Sequence, residues 1–215
     1  MSIATKHRQT DATHQLSESY HSDEQLLLRY RQSKKRESFS ELVRRYEKEL
    51  FSYLCRYTGN TEMAEDAFQT TFLQVHLKCH QFEPDRKFRP WLYTIATNQA
   101  IDLQRRNRRH RAVSLNRPSS QEGNEVGRLI DLLESDEAGP LGRLQTAERR
   151  EWIRDELHAL PDHLRVVVLL VYFQGLKYRE AADALSIPVG TVKSRLHAAI
   201  LKLNEAWHSA NTKPK

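Results

Sequence analysis

Residues 178–203, YREAADALSIPVGTVKSRLHAAILKL, read as two short amphipathic helices broken at Ser186-Ile187-Pro188. In the first, Ala181, Ala182 and Leu185 form the apolar face, and the small alanines let a second helix cross closely. Ile187 plugs the turn. Pro188 stands where a helix begins but cannot continue one. In the second helix Val192, Leu196, Ala199 and Leu203 step by four, three and four, the spacing of a buried stripe. Thr191, Lys193, Ser194, Arg195 and His197 are left to face outward. Their donors suit phosphates and base edges, as a recognition helix in a major groove requires, and Lys193 or Arg195 is suited to reading guanine. A solvated face on an ordinary hairpin would carry the same charges. The agreement of turn, alanines and polar face favours a DNA-reading helix-turn-helix over that plainer alternative.

The bulk composition fits such a protein. Of 215 residues, 39% are hydrophobic and 29% charged, which suits a helix-rich chain with one modest core or two small ones. No stretch approaches the ~18 consecutive apolar residues of a spanning helix, and the N-terminus lacks a secretory apolar run, so a cytoplasmic location is expected. Thirty-four Lys and Arg against 28 Asp and Glu leave +6, favouring a polyanionic partner. The charge is unevenly placed. Residues 104–111, QRRNRRHR, hold five arginines, whereas 112–147 carry six acids against Arg117, Arg128 and Arg143.

Periodicity divides the chain into an all-α fold of two small domains. Residues 1–22 are polar and aperiodic, a disordered tail. In a first domain, 23–111, Leu26, Leu27 and Tyr30 form a short stripe, and Ser38 with Glu41 reads as a capping box opening a helix through Leu42, Tyr46, Leu50 and Leu54 to Gly59. A third helix opens at Thr61 and runs to about His80. After the loop QFEPDRKFRP, a fourth carries Trp91, Leu92, Ile95, Ala96, Ile101, Leu103 and the arginines. Residues 112–147, rich in Gly, Pro and Ser, read as a flexible acidic linker. Helical spacing resumes over 148–208, where the β-prone run VVVLLVYF is too isolated to pair in a sheet. Residues 209–215 form a tail.

Little points to catalysis or to a cofactor. There is no Gly-rich phosphate loop, HExxH, GxSxG or convincing acid pair, and Asp162 and His163 read as capping a helix start. His76, Cys79 and His80 share one helix face, but no fourth ligand is evident and Cys79 continues the apolar series Phe68, Phe72, Val75; no metal is expected. Cys55 and Cys79 indicate no disulfide scaffold.

Leu160-Pro161, Arg165, GLKYREAADAL and IPVGTVKSRLHAA closely resemble the fourth conserved region of extracytoplasmic-function (ECF) sigma factors of the sigma-70 family. AEDAFQTTFLQV (64–75) and FRPWLYTIATNQAIDLQRR (88–106) resemble the second region of the same family, in the right order with a linker between. The resemblance implies an alternative sigma factor, a binding protein rather than an enzyme, with core RNA polymerase and promoter DNA as partners. An anti-sigma factor is a further partner class of the family. It implies that Asp66, Gln69, Thr70 and Leu73 meet the coiled coil of the polymerase's largest subunit. Thr191, Lys193, Ser194, Arg195 and His197 would face the minus-thirty-five element. Phe82, Lys87, Phe88, Arg89, Asn98, Asp102, Arg105, Arg106 and Arg109 would serve the minus-ten element, with Phe82 and Phe88 lining a pocket for an extruded base, Asn98 reading it, and the basic residues holding phosphates. The acidic linker suits passage through a positively charged polymerase channel, and suits a plain tether equally well. Thr70 stands where the family usually has Glu, and Ala198 and Ile200 where many relatives have Arg, which marks a divergent member. The competing reading is a stand-alone helix-turn-helix regulator. It calls for an α/β receiver or ligand domain, and residues 23–110 lack strand patterning.

Overall fold

The computed structural model describes residues 21–113 and 151–211. The expected N-terminal tail and acidic linker fall almost wholly outside these residues, as do the last four of the chain. Eight helices and no strand are present among the described residues: α1 (Asp23–Ser33), α2 (Arg36–Thr58), α3 (Thr61–Lys78), α4 (Phe88–Val113), α5 (151–159), α6 (Asp162–Val168), α7 (Tyr178–Leu185) and α8 (Val189–Asn211). A 3-10 turn, Cys79–Gln81, extends α3, and a π-turn, Leu169–Phe173, extends α6. The last helix thus runs three residues into the expected C-terminal tail.

The helix ends explain where the sequence reading was right and where it slipped. The capping box belongs to α1, not α2: Ser22 Oγ accepts the Gln25 N–H at 3.2 Å and Gln25 Oε1 accepts the Ser22 N–H at 3.0 Å. Ser38 lies inside α2, whose N-cap is Lys35 with no side-chain cap. Glu41 binds Arg44 and Arg45 at 2.8–2.9 Å instead of reaching back to a cap. At the other end of α2, Gly59 takes φ +68°, and a Cβ there would lie 2.9 Å from the His158 ring, so the position needs glycine twice over. The third helix opens at Thr61 as expected, and Asn60 caps it through its Oδ1 on the Met63 N–H at 2.8 Å. The fourth helix opens three residues before Trp91, because Glu24 Oε1 in α1 accepts the Phe88 N–H at 3.1 Å. Burial alone would push the Glu24 carboxyl up. Hydrogen bonds from the backbone of Phe88 and of Glu24 itself outweigh it, and the group titrates low.

The first four helices bury Leu27, Leu42, Leu50, Tyr53, Leu54, Phe88, Leu92 and Tyr93 with essentially no exposure, and the second domain buries Val167, Leu169, Leu170, Ala181, Val192 and Ala199 likewise. Each such leucine contributes about 1.5–3 kcal/mol over an exposed one. VVVLLVYF is helical despite its β-branched residues, since Val166 to Leu170 are all buried in helical packing and tertiary contacts override a propensity difference of tenths of a kcal/mol.

The two domains pack on each other, an arrangement the sequence left open. Their buried residues form one continuous cluster, with α4 lying along α7. The buried Tyr93 hydroxyl donates to Gln174 Oε1 at 2.6 Å, Arg56 stacks over Phe173 at 5.1 Å, and Arg165 over Tyr57 at 5.6 Å.

Candidate functional surfaces

The helix-turn-helix forms as the opening stretch requires. Ser186 takes the left-handed turn at φ +53°, and the Ile187 N–H bonds back to the Ala182 carbonyl at 3.1 Å. Ala181, Ala182 and Ala184 are buried, as are Val192, Leu196 and Ala199 of α8, and the two helices pack on each other. Lys193, Ser194 and His197 are exposed opposite that stripe, and Lys193 Nζ lies 6.0 Å from the centre of the Tyr178 ring. Thr191 and Arg195 are half-buried on the flank of α8, and Arg195 lines a cleft against the first domain. Ala198 and Ile200 are partly buried against the core, and neither side chain carries a donor for a phosphate.

On α4, Asn98, Asp102, Arg105, Arg106 and Arg109 step by four, three, one and three, and all five are exposed on one face. Arg105 and Arg106 have no acidic partner among the described residues, and Arg109 Nε reaches only the Arg105 carbonyl, at 3.4 Å. Lys87 is exposed in the preceding loop. Three residues depart from expectation. Phe82 is 2% exposed and Phe88 fully buried, packed edge-on at 6.3 Å, with the half-buried Trp91 against both; neither phenylalanine ring is open to stack on a base. These rings fix the loop to the core instead. Arg89 is half-buried, held to Glu49 at 3.4 Å and over Tyr93 at 5.3 Å, so it is already paired.

Along α3, Asp66, Gln69 and Leu73 are exposed and Thr70 half-buried, all on one face. Leu77 extends that face by a turn: it is 58% exposed and Leu73 is 54% exposed, an apolar ridge between polar neighbours. Two leucines at i, i+4 in an outward position were the signal available for Leu77. The histidines near Cys79 turn elsewhere: His76 Nδ1 meets the Tyr30 hydroxyl at 2.5 Å and His80 Nε2 the Lys34 ammonium at 3.1 Å, while Cys79 is buried. Among the described residues no group of three or more His, Cys, Asp and Glu is placed to hold a metal. Burial pushes the Cys55 thiol up to about 11, leaving it a poor nucleophile.

Asp162 was read as a cap, and its role is different. Pro161 is the N-cap of α6, and the Asp162 carboxylate is shared between Arg165 on its own helix and Arg108 of α4. Arg165 is 6% exposed; it also donates to the His158 carbonyl at 3.1 Å, and its Nε meets no acceptor.

Sequence models for Sigma-70 region 2 and Sigma-70, region 4 match residues 42–110 and 150–203. The ECF RNA polymerase sigma factor SigW of Bacillus subtilis (strain 168) is 32% identical over 171 residues, covering 79% of this chain and 89% of the relative. The RNA polymerase sigma-H factor of Pseudomonas aeruginosa is 30% identical, covering 86% and 93%. In solved structures, CnrH in complex with the cytosolic domain of CnrY shares the fold at TM-score 0.62 and 23% identity, over 88% of this chain and 99% of that one. The sigma factor RpoE of Bartonella quintana, in complex with the anti-sigma factor NepR, does so at 0.59 and 21%, over 78% and 94%. With sigma factors of that kind matched across nearly their whole length, and with both regions in the family order, the chain belongs to the ECF subfamily of the sigma-70 factors, alternative sigma factors that recognise promoters and initiate transcription with core RNA polymerase.

Proposed function

We propose a division of labour within this sigma factor: residues 23–111 dock on core polymerase and open the minus-ten DNA, while 148–208 read the minus-thirty-five DNA. The exposed α4 face, with Asn98 and Asp102 beside arginines that have no acidic partner among the described residues, carries the reading. An amide offers a donor and an acceptor to a base edge, and neighbouring guanidinium groups hold phosphates without reading sequence. Lys87, Arg105, Arg106 and Arg109 supply that grip. Extruding a base costs on the order of a few kcal/mol, which contacts to its edge must offset. Lys193, Ser194, Arg195 and His197, with Thr191, form the upstream reading surface. Asp66, Gln69, Thr70 and Leu73, extended by Leu77, form the docking ridge for core polymerase. With Thr in place of the family's usual Glu, contact at residue 70 is neutral, which shifts weight onto the leucines.

The protein's part is binding rather than bond-making, and it works in the cytoplasm, where core polymerase is. Among the described residues no helix is long and apolar enough to cross a membrane. An anti-sigma factor is a fitting further partner, since both structural neighbours were solved with a second protein and one of those is named an anti-sigma factor. The deciding experiment is transcription with reconstituted core polymerase. Asn98→Ala is expected to impair initiation from duplex promoters and much less from pre-melted templates, and equal loss on both would refute the base-reading role.

A further inference from the structure

The outward residues of α8 differ in how they are held. The Ser194 hydroxyl donates to the Thr191 carbonyl at 3.1 Å, and Arg195 lies half-buried against the cleft. Lys193 makes no hydrogen bond or ion pair among the described residues; what it meets is the Tyr178 ring, with Nζ 6.0 Å from the ring centre. Elsewhere Arg56, Arg89, Arg165 and Lys34 lie over rings, and each also binds a polar group: Ser52, Glu49, Asp162 and the His80 ring in turn. Lys193 is ordered by a ring alone.

Tyr178 is placed for this contact and for little else. It is the first residue of α7, where the Lys177 N–H donates to Glu180 Oε2 at 2.8 Å and fixes the opening turn. Its ring is 41% exposed and stands outside the buried core. A lone exposed aromatic needs no explanation by itself, and the cation held over it supplies one. The chemistry of the pair suits a reader of DNA. A carboxylate beside Lys193 would neutralise it and occupy its N–H donors. An aromatic ring attracts the charge through its quadrupole and need not take an N–H in a hydrogen bond, so the donors stay available to a guanine O6 or N7. A lysine on its four-carbon stem loses much rotamer freedom when it is fixed on a base. Part of that loss is already taken in the free protein when the ring confines the ammonium.

We propose that Tyr178 is a positioning residue for promoter reading: its ring orders the Lys193 ammonium and so sharpens the base preference that Lys193 exerts, a role that rests on the assignment of α8 to the minus-thirty-five DNA. The surface that sets specificity therefore extends from the recognition helix onto the first helix of the motif. A cation–π contact at an exposed site shifts an equilibrium about two- to fivefold, which sets the size of the effect.

The test is transcription by core polymerase with the full chain, on a promoter library randomised across the upstream element. Lys193→Ala locates the base position that Lys193 reads. Tyr178→Leu should relax preference at that same position by about two- to fivefold and leave the other positions as they were. Tyr178→Phe keeps the ring and should keep the preference. In the Lys193→Ala background Tyr178→Leu should add nothing, which separates positioning from any general damage to the helix. An unchanged preference in Tyr178→Leu overturns the role. So does a loss in Tyr178→Phe equal to that in Tyr178→Leu, which would assign the effect to the hydroxyl, or a uniform weakening at every position, the mark of a phosphate contact. If Lys193→Ala itself alters no position, the assignment of Lys193 to the upstream element falls, and the role of Tyr178 falls with it.

Discussion

Arginines do opposite work in the two halves of this molecule. On α4, Arg105 and Arg106 stand in solvent with no acid among the described residues to hold them, at the cost only of mutual repulsion that salt screens. On α6, Arg165 is almost wholly buried, bound to Asp162 and the His158 carbonyl, and laid over the Tyr57 ring. On the proposed reading, the first kind is completed by a polyanion from outside. The second completes the fold, and its charge is never available to DNA. Basicity counted along the chain cannot separate the two; burial and pairing do.

The largest break in that comparison is Arg165→Ala. It removes a buried, hydrogen-bonded charge and leaves a void beside Tyr57, which should cost about 3–5 kcal/mol. Thermal unfolding should fall by ten degrees or more. Loss of only a degree or two would mean that the site is far wetter than its burial implies. A substitution on the recognition helix is expected to do the reverse. Lys193→Ala should leave the melting temperature within a degree or two, yet weaken preference for the upstream element by about 1–3 kcal/mol at one base position. His197→Ala belongs with it. Promoter-library transcription measures both, and an unchanged preference would remove these residues from the reading surface.

Arg106→Ala sharpens the same contrast at smaller amplitude. A phosphate contact carries no sequence information, so the logarithmic salt dependence of duplex binding should flatten by about one unit while sequence preference stays the same. A change in preference without a change in slope would make Arg106 a base reader.

The sequence was most legible where one local pattern determined the outcome. The helix-turn-helix needs only a turn, an apolar step of four and three, and small residues at the crossing, all within 26 positions, and the structure follows it closely. Helix existence in the first domain was equally plain, because apolar spacing survives a shift of start by two or three residues. The helix starts were less so. Ser38-Glu41 satisfies the capping-box pattern, but Glu41 has two arginines within a turn and a stronger use for its charge. Ser22-Gln25 looked like the end of a polar tail. The α4 start is fixed by Glu24, 64 residues away, which no local reading supplies. Phe82 and Phe88 were assigned to DNA by resemblance, and only packing reveals that both rings are spent on the core. The same holds for Asp162: a first-turn acid before a helix is the ordinary signature of dipole stabilisation, and the arginine that gives it a second role lies across a domain junction.

The subtlest test concerns the histidine at that junction. His158 is partly buried, and burial first, then the positive charge of Arg165, holds its pKa below the ordinary value. Asp155 pulls in the other direction and Arg154 in the same one, while Gly59 at the end of α2 backs on the ring. A lowered pKa means that the packed state prefers the neutral ring. Its stabilising contribution is therefore present in full above about pH 6.5, the unpacked value, and is lost as pH falls towards the lower packed value. The loss cannot exceed about 1.4 kcal/mol per pH unit for one proton. His158→Gln keeps a polar side chain of similar length beside Gly59 and removes the titration. Between about pH 7.5 and 5.5 the wild-type melting temperature should decline more steeply than that of the variant, by a few degrees at most. Parallel declines would show that the ring takes up its proton without disturbing the junction, and would leave Arg165 and Asp162 as its determinants.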